Sequence, residues 1–364
     1  MNLKLASAFG SCSAFLFLTF TSGCASTQLG TEKPELNMEY KLENEDAAIS
    51  EAVRIATEHI QKMHEDEGTP THRDAHTKNH GCVRAKLTID KARPAETRYG
   101  VFSNDKSYNA WIRFSNAGGE VKSDAVGGGR GMALKLLGVE GEKILPAEKN
   151  EKTQDFLFVN HPVFVVRDIQ EYIKVQTHPL WFVLGHPRTA LLVKSLTGHK
   201  VTDLLESRYW SMSSFRLGKS AVKYGMIPCK APETPYPQEP APNFLAENLE
   251  KHLQQREGCF NVLVQFQKDP VKMPVEDPSE EWSEVLSPFV KVATLTVGKQ
   301  NFRSKKQEEF CENLSFTPWH SLPAHMPLGN LNRARKAVYE ASSLKRHTDN
   351  QSKKREPLGN EIFE

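Results

Sequence analysis

The sequence predicts an α+β protein: a largely antiparallel β-barrel or sandwich, with helices inserted between its strands and one more helix after them. Three observations predict this. Six short segments rich in β-branched and aromatic residues recur ("RAKLTID", "NAWIRFS", "GMALKLLG", "DFLFVN", "FNVLVQFQ" and "VKVATLTVG"), several alternating apolar with polar. The stretch from about Ile169 to Ser213 between the fourth and fifth is helical in tone, with breaks at Pro179 and Pro187. Strong helix formers occupy both flanks of the strand-bearing region.

Taken in order, the chain opens on one lysine, an apolar run from about Ala14 to Phe20 and small residues around Cys24. That is the layout of an export signal, too short to span a bilayer. The "TSGC" box suits either lipidation of Cys24 or ordinary cleavage, with Thr21 where Leu is more usual. Residues 1–23 are therefore expected to be a lipoprotein-type signal peptide and 24–45 a flexible tether, polar and without period. Ile49, Ala52, Val53, Ala56, Ile60 and Met63 then fall at helical spacing and begin the folded domain, 46–346. After the strands and their helical insertion, "CKAPETPYPQEPAPNF" is extended surface chain, and a helix covers about Leu245 to Gln255. "NLNRARKAVYEASSLKRH" is the last helix, and 347–364 is a charged, aperiodic tail expected to be disordered.

With 38% hydrophobic residues in 364 the chain can build a full core. Its 47 Lys and Arg nearly balance 45 Asp and Glu, and no basic stretch interleaved with aromatics precedes the tail, so nucleic acid is not expected as a partner. A small molecule is. The cysteines beyond the signal, Cys82, Cys229, Cys259 and Cys311, contain no CxxC pair, which argues against structural zinc while permitting disulfides in an exported protein.

Four stretches bear on chemistry. "HRDAHTKNHGC" spaces His72, His76 and His80 four apart. On a helix that would be a three-histidine metal face, but Pro70, Asn79 and Gly81 favour a loop running into a strand. A single functional histidine or a polar loop without function both remain open. "WIRFSNAGGE" sets Arg113 on an apolar strand, where it needs either a structural carboxylate or a ligand's carboxylate or phosphate. "GGGRGMALK" lacks the ending of a phosphate loop. In "NRARKAVYEASSLKR", Arg335, Tyr339 and Arg346 share one helical face, where a guanidinium one turn away favours a phenolate; the alternative is an ordinary half-buried tyrosine.

In order along the chain, these stretches resemble the catalase family. "RDAHTKNHG" (Arg73, His76, Lys78, Gly81), Arg113-Phe114-Ser115, "RGMALK" from Arg130, "NHPVFVVRD" from Asn160 to Asp168, and "RKAVYEASSLKR" match five of its motifs. The resemblance looks closest to the shorter, catalase-like branch found in bacteria. It implies a barrel core with helical insertions and a C-terminal haem-ligating helix, and haem b (iron protoporphyrin) as cofactor. Tyr339 would be the axial ligand of the iron, supported by Arg335. Arg73, Arg113 and Arg346 would clamp the propionates, and Phe164 and Tyr172 would lie against the porphyrin. His76 would shuttle the proton of a peroxide, with Ser115 fixing its ring. The family's distal Asn stands three residues before the Pro of its segment, where this chain has Val159, so Asn160 is the candidate to replace it. His80, among bulkier residues than usual, is expected to alter access above the haem. Hydrogen peroxide or an organic or lipid hydroperoxide is the implied substrate, and a non-catalytic haem-binding protein is the alternative. The oligomer is open, and the expected location is periplasm-facing, lipid-anchored to the bacterial outer membrane or soluble.

Overall fold

The computed structural model describes residues 33–68 and 70–363, so the expected signal peptide and the first part of the tether lie outside the described residues. In order, the elements are α1 (Glu45–Glu67), β1 (Asn79–Ile89), β2 (Ser107–Asn116), β3 (Arg130–Leu137) and β4 (Thr153–Val159). A helical insertion follows: α2 (Ile169–Thr177), α3 (Pro179–Gly185) and α4 (Pro187–Gly198). Then come β5 (Tyr209–Trp210), β6 (Phe215–Leu217), β7 (Ser220–Pro228), α5 (Phe244–Gln255), β8 (Gly258–Phe266), β9 (Val290–Val297), α6 (Lys305–Asn313) and α7 (Asn330–Asp349).

The strands pair antiparallel in the order β5-β4-β3-β2-β1-β9-β8-β7-β6. Because β5 also pairs with β7, through Tyr209 opposite Met226, the ladder closes into a barrel, with β6 outside the ring. Closure follows from the side-chain pattern. In β1, Val83, Ala85, Leu87 and Ile89 are buried and the intervening Lys86 and Thr88 are exposed. Their inward partners from the other strands, including Phe114, Leu134, Phe156, Tyr224, Val262 and Leu295, fill the barrel as one packed core. Each of the six predicted strands is present. The sequence reading missed β7, whose Lys223 is buried along with its apolar neighbours, so no alternation announces it.

Two segments differ from expectation. Residues 34–44 are docked rather than a free tether: the Asn37 N–H donates to Gln267 Oε1 at 2.6 Å, and its Oδ1 accepts from the Ala221 N–H at 2.7 Å. The tail through Phe363 is likewise packed. Lys135 is fully buried and needs counter-charge, which Asp155 and the tail's Glu356 both supply at 2.7 Å. The Phe363 ring lies 5.8 Å from that of Trp111. Charge without periodicity suggested disorder, but here the charges answer buried opposite charges. Disulfides join Cys82 to Cys311 and Cys229 to Cys259. Among the described residues no helix is long and apolar enough to cross a membrane.

Candidate functional site

The histidine run is a loop, not a helix, and β1 begins at Asn79. Thr77 staples the loop, its single hydroxyl hydrogen shared between the carbonyls of Arg73 (2.9 Å) and Gly119 (2.8 Å). His76 is held at φ 60°, the left-handed conformation rare for a residue with a side chain. That turn sends its ring inward over β2 and β3. Nδ1 lies 3.0 Å from Ser115 Oγ, and the ring rests on Gly131, where a Cβ would stand 2.5 Å from Nδ1. Among the described residues nothing partners Nε2. Burial first, then the positive charges of Arg113, Arg335 and Arg73, push the His76 pKa down to about 3. The imidazole is therefore neutral at physiological pH, ready to accept a proton.

His72 and His80 do not line this cavity. His72 lies 3.8 Å from Glu312. His80, expected to alter access above the haem, is instead buried on β1 with Nε2 2.8 Å from Asn116 Oδ1 and Asp124 nearby, so it does not control access.

On the helical side, α7 presents Arg335, Tyr339 and Arg346 to the same cavity. The helix is fixed at its start by Arg333, which pairs with Glu39 (2.7 Å), Glu45 (2.6 Å) and Glu276 (3.0 Å). Arg335 Nη2 donates to the Tyr339 hydroxyl oxygen at 3.1 Å, and its Nη1 to Asn332 Oδ1 at 3.0 Å, so the guanidinium is aimed by a buried amide.

Arg73, Arg113 and Arg346 converge from a loop, a strand and a helix. Arg113 donates to the carbonyls of His76 (2.8 Å) and Thr77 (3.2 Å), and Arg346 to those of Glu312 and Leu314. Burial and the charge of Arg73 lower both Arg113 and Arg346 to about 9, which leaves them charged at neutral pH. A residue the sequence did not single out sits among them: Glu312 lies 2.7 Å from Arg73 and 3.9 Å from Arg113. Burial would raise its carboxyl, but Arg73, His72, Arg113 and Arg346 hold it far below the usual carboxylate range.

The cavity has a volume of about 660 Å³. Every predicted cofactor contact lines it: Arg73, Arg113, Phe164, Tyr172, Arg335, Tyr339 and Arg346, together with His76 and Ser115. Asn160 does not. Its Oδ1 accepts the Arg130 N–H at 2.5 Å, bracing the start of β3, while Val159 takes the cavity wall. The expectation that Asn160 fills the distal amide's place is thus corrected. Sequence reasoning also missed Gly131, Met212, and the His59–Asp74 pair (2.8 Å) beside the cavity. Only Gly131 carried a signal, as a glycine inside a strand pattern.

The chain superimposes on solved catalases. Catalase A from Saccharomyces cerevisiae aligns with a TM-score of 0.63 at 16% identity, over 79% of this chain and 63% of that one. The fold is that of the catalases. A fungal catalase gives 0.60 at 16% identity over 83% and 63% of the two chains, and a bacterial catalase 0.60 at 17% over 79% and 59%. This chain thus spans about three-fifths of the catalases it matches. No protein-family profile and no curated protein sequence matches it.

The catalase fold raises the question of haem, and the residues present fit it. Three guanidiniums face one carboxylate, leaving a positive surplus that suits two propionates, and Arg113 Nε is a buried donor without a partner. The Tyr339 oxygen, with one donor on it from Arg335, keeps lone pairs for a metal. Phe164, Val163, Met132, Leu331 and Val338 supply apolar walls for a flat ring.

Proposed function

We propose that this protein binds haem b and transforms hydroperoxides, as a member of the shorter, catalase-like branch found in bacteria. The observation that carries the reading is the sharing of one cavity by a neutral, partly buried His76, an Arg335-supported Tyr339 and three arginines in charge excess. Tyr339 would ligate the iron, and Arg73, Arg113 and Arg346 would hold the propionates. The haem would supply the redox chemistry that splits an O–O bond. His76 Nε2 takes a proton from one peroxide oxygen and returns it to the departing one, which leaves as water or alcohol. Ser115 acts as a positioning residue, fixing the imidazole's tautomer and tilt.

Val159 on the cavity wall, with Asn160 turned to the Arg130 backbone, favours a second reading: a haem-binding protein of low or absent peroxide turnover. An absorption spectrum and peroxide assay separate the possibilities. Haem-loaded protein is expected to show a tyrosinate charge-transfer band that Tyr339→Phe abolishes. Wild type is expected to consume hydrogen peroxide or cumene hydroperoxide faster than His76→Ala. Equal rates remove the enzyme reading, and a spectrum unmoved by Tyr339→Phe removes the haem ligation. We further propose export to the periplasm, with the lipid-modified Cys24 holding the chain to the outer membrane.

A further inference from the structure

The helical insertion exposes an apolar face that the cavity does not use. On α3, Leu180, Trp181 and Leu184 share one side and are 67%, 75% and 68% exposed, and Leu191 on the adjoining α4 is 68% exposed. Scattered apolar side chains are ordinary on a protein surface, but four large ones on neighbouring helices are not. The opposite side of α3 is held firmly: Phe182 is buried and its ring stacks on His186 at 3.9 Å. The exposed face is thus presented by a fixed helix.

Its charge environment says what would cover it. From Tyr172 through Thr202 there is no Asp or Glu, while Lys174, Arg188, Lys194 and Lys200 all lie exposed on the surface. Arg188 finds its carboxylate outside the insertion, on Glu280. A second copy of the same hairpin would bring like charges together with no acid in either to offset them. A sheet of anionic headgroups over an apolar interior matches both features, the tryptophan and leucines entering the interface and the cations meeting the headgroups.

We propose that the α3–α4 hairpin docks on the surface of an anionic lipid bilayer. Gln176, exposed three residues before α3, and Leu196 on α4 both line the cavity, so the docked face adjoins its rim. Where the hydroperoxide function holds, the favoured substrate is then a long-chain lipid hydroperoxide drawn from that bilayer. Docking itself does not rest on haem, and its test needs none.

The full chain is mixed with extruded vesicles of phosphatidylglycerol and phosphatidylethanolamine, or of phosphatidylcholine alone, and the bound fraction is measured by cosedimentation. Any contribution of the apolar residues 14–20 is common to wild type and variants, so the ratio between them is the readout. Changing Leu180→Ser, Trp181→Ser and Leu184→Ser together is expected to weaken binding to the anionic vesicles about 100-fold, given the apolar surface removed from the interface. Lys194→Glu with Lys200→Glu is expected to lose about tenfold or more on anionic vesicles and little on phosphatidylcholine. All these side chains are exposed, so circular dichroism should show both variants folded. Equal binding by wild type and the triple variant overturns the proposal. So does a lipid-free dimer that the triple substitution dissociates without change in vesicle binding, which assigns the patch to a second copy.

Discussion

Gly131→Ala is the smallest change that should reach the site. The added methyl would stand 2.5 Å from His76 Nδ1 and 2.7 Å from Ser115 Oγ, inside the space their contact occupies. Neither backbone can yield, since the His76 N–H is bound to the Ala117 carbonyl and Ser115 lies on β2 directly opposite Gly131 in the ladder, so relief requires the imidazole to swing into the cavity. Overpacking of this kind costs about 1–3 kcal/mol, and the lost hydrogen bond about 1 more, so the variant should be less stable by about 2–4 kcal/mol. Urea unfolding of the oxidised, haem-free chain measures it by tryptophan fluorescence. Gly298→Ala is the control, since a Cβ there meets nothing within 4 Å, and its effect should stay within about 0.5 kcal/mol. If His76 escapes by rotating out, stability recovers but peroxide consumption by the haem-loaded protein falls about 100-fold. A Gly131→Ala protein matching the control in both midpoint and turnover would falsify the packing of His76 on β3.

Stability should fall with acid well before carboxylates titrate. His325 is buried and His76 partly so, and burial lowers both to about 3. Unfolded, each takes a proton near pH 6.5, so below that pH the unfolded chain binds more protons and stability drops as pH falls. Between pH 7.5 and 5.5 the pair should cost about 3 kcal/mol; His80 and His347, each lowered to about 4, act in the same direction, while Asp155, raised by burial to about 6, and half-exposed His59, raised by Asp74, oppose it in part. A flat urea midpoint over that range would contradict the burial of both. Glu312→Gln leaves Arg73, Arg113 and Arg346 without their shared carboxylate and should destabilise the haem-free chain by about 3 kcal/mol. Haem should recover more stability in this variant than in wild type, because its propionates replace the missing charge. An equal haem-induced shift in melting temperature in the two proteins would argue against propionate binding there.

What the sequence disclosed was what local pattern encodes. β-branched and aromatic composition revealed six strands, with alternation clearest in β1 where Lys86 and Thr88 are exposed, and it failed at β7, where Lys223 is buried along with its neighbours. The face shared by Arg335, Tyr339 and Arg346 is a property of one helix and was legible from spacing alone. Glu312 was not. It lies near the end of α6, a helix so charged that only Gln307 and Cys311 are buried on it, and its meaning comes from arginines far away in sequence. The order in the tail was hidden for the same reason, since Glu356 has value only once Lys135 and Asp155 are buried beside it. The run of glycines at 127–129, read as a weak phosphate loop, is a packing device. A Cβ on Gly127 would stand 1.9 Å from the Thr197 carbonyl oxygen, and one on Gly129 3.2 Å from the Leu196 side chain, so the loop lets α4 close on the barrel.

The departure at Val159 also yields a test of gained rather than lost function. In the ladder Val159 stands opposite Gly131, the residue on which His76 rests, so its side chain is the nearest part of β4 to the imidazole's seat. It lines the cavity, while the amide of Asn160 is held by the backbone of Arg130. Val159→Asn would put a hydrogen-bond donor beside His76, where a hydroperoxide must be oriented for proton transfer. Each 1.4 kcal/mol of improved orientation is worth about tenfold in rate, so hydrogen peroxide consumption should rise about tenfold or more. The gain should come with a stability loss of about 1–2 kcal/mol for the buried isopropyl group. Asn160→Ala should do the reverse, costing stability through the freed Arg130 N–H and leaving turnover nearly unchanged. If Val159→Asn is no faster than wild type, or if Asn160→Ala alone abolishes turnover, the amide at 160 reaches the substrate after all and the cavity wall has been assigned to the wrong residue.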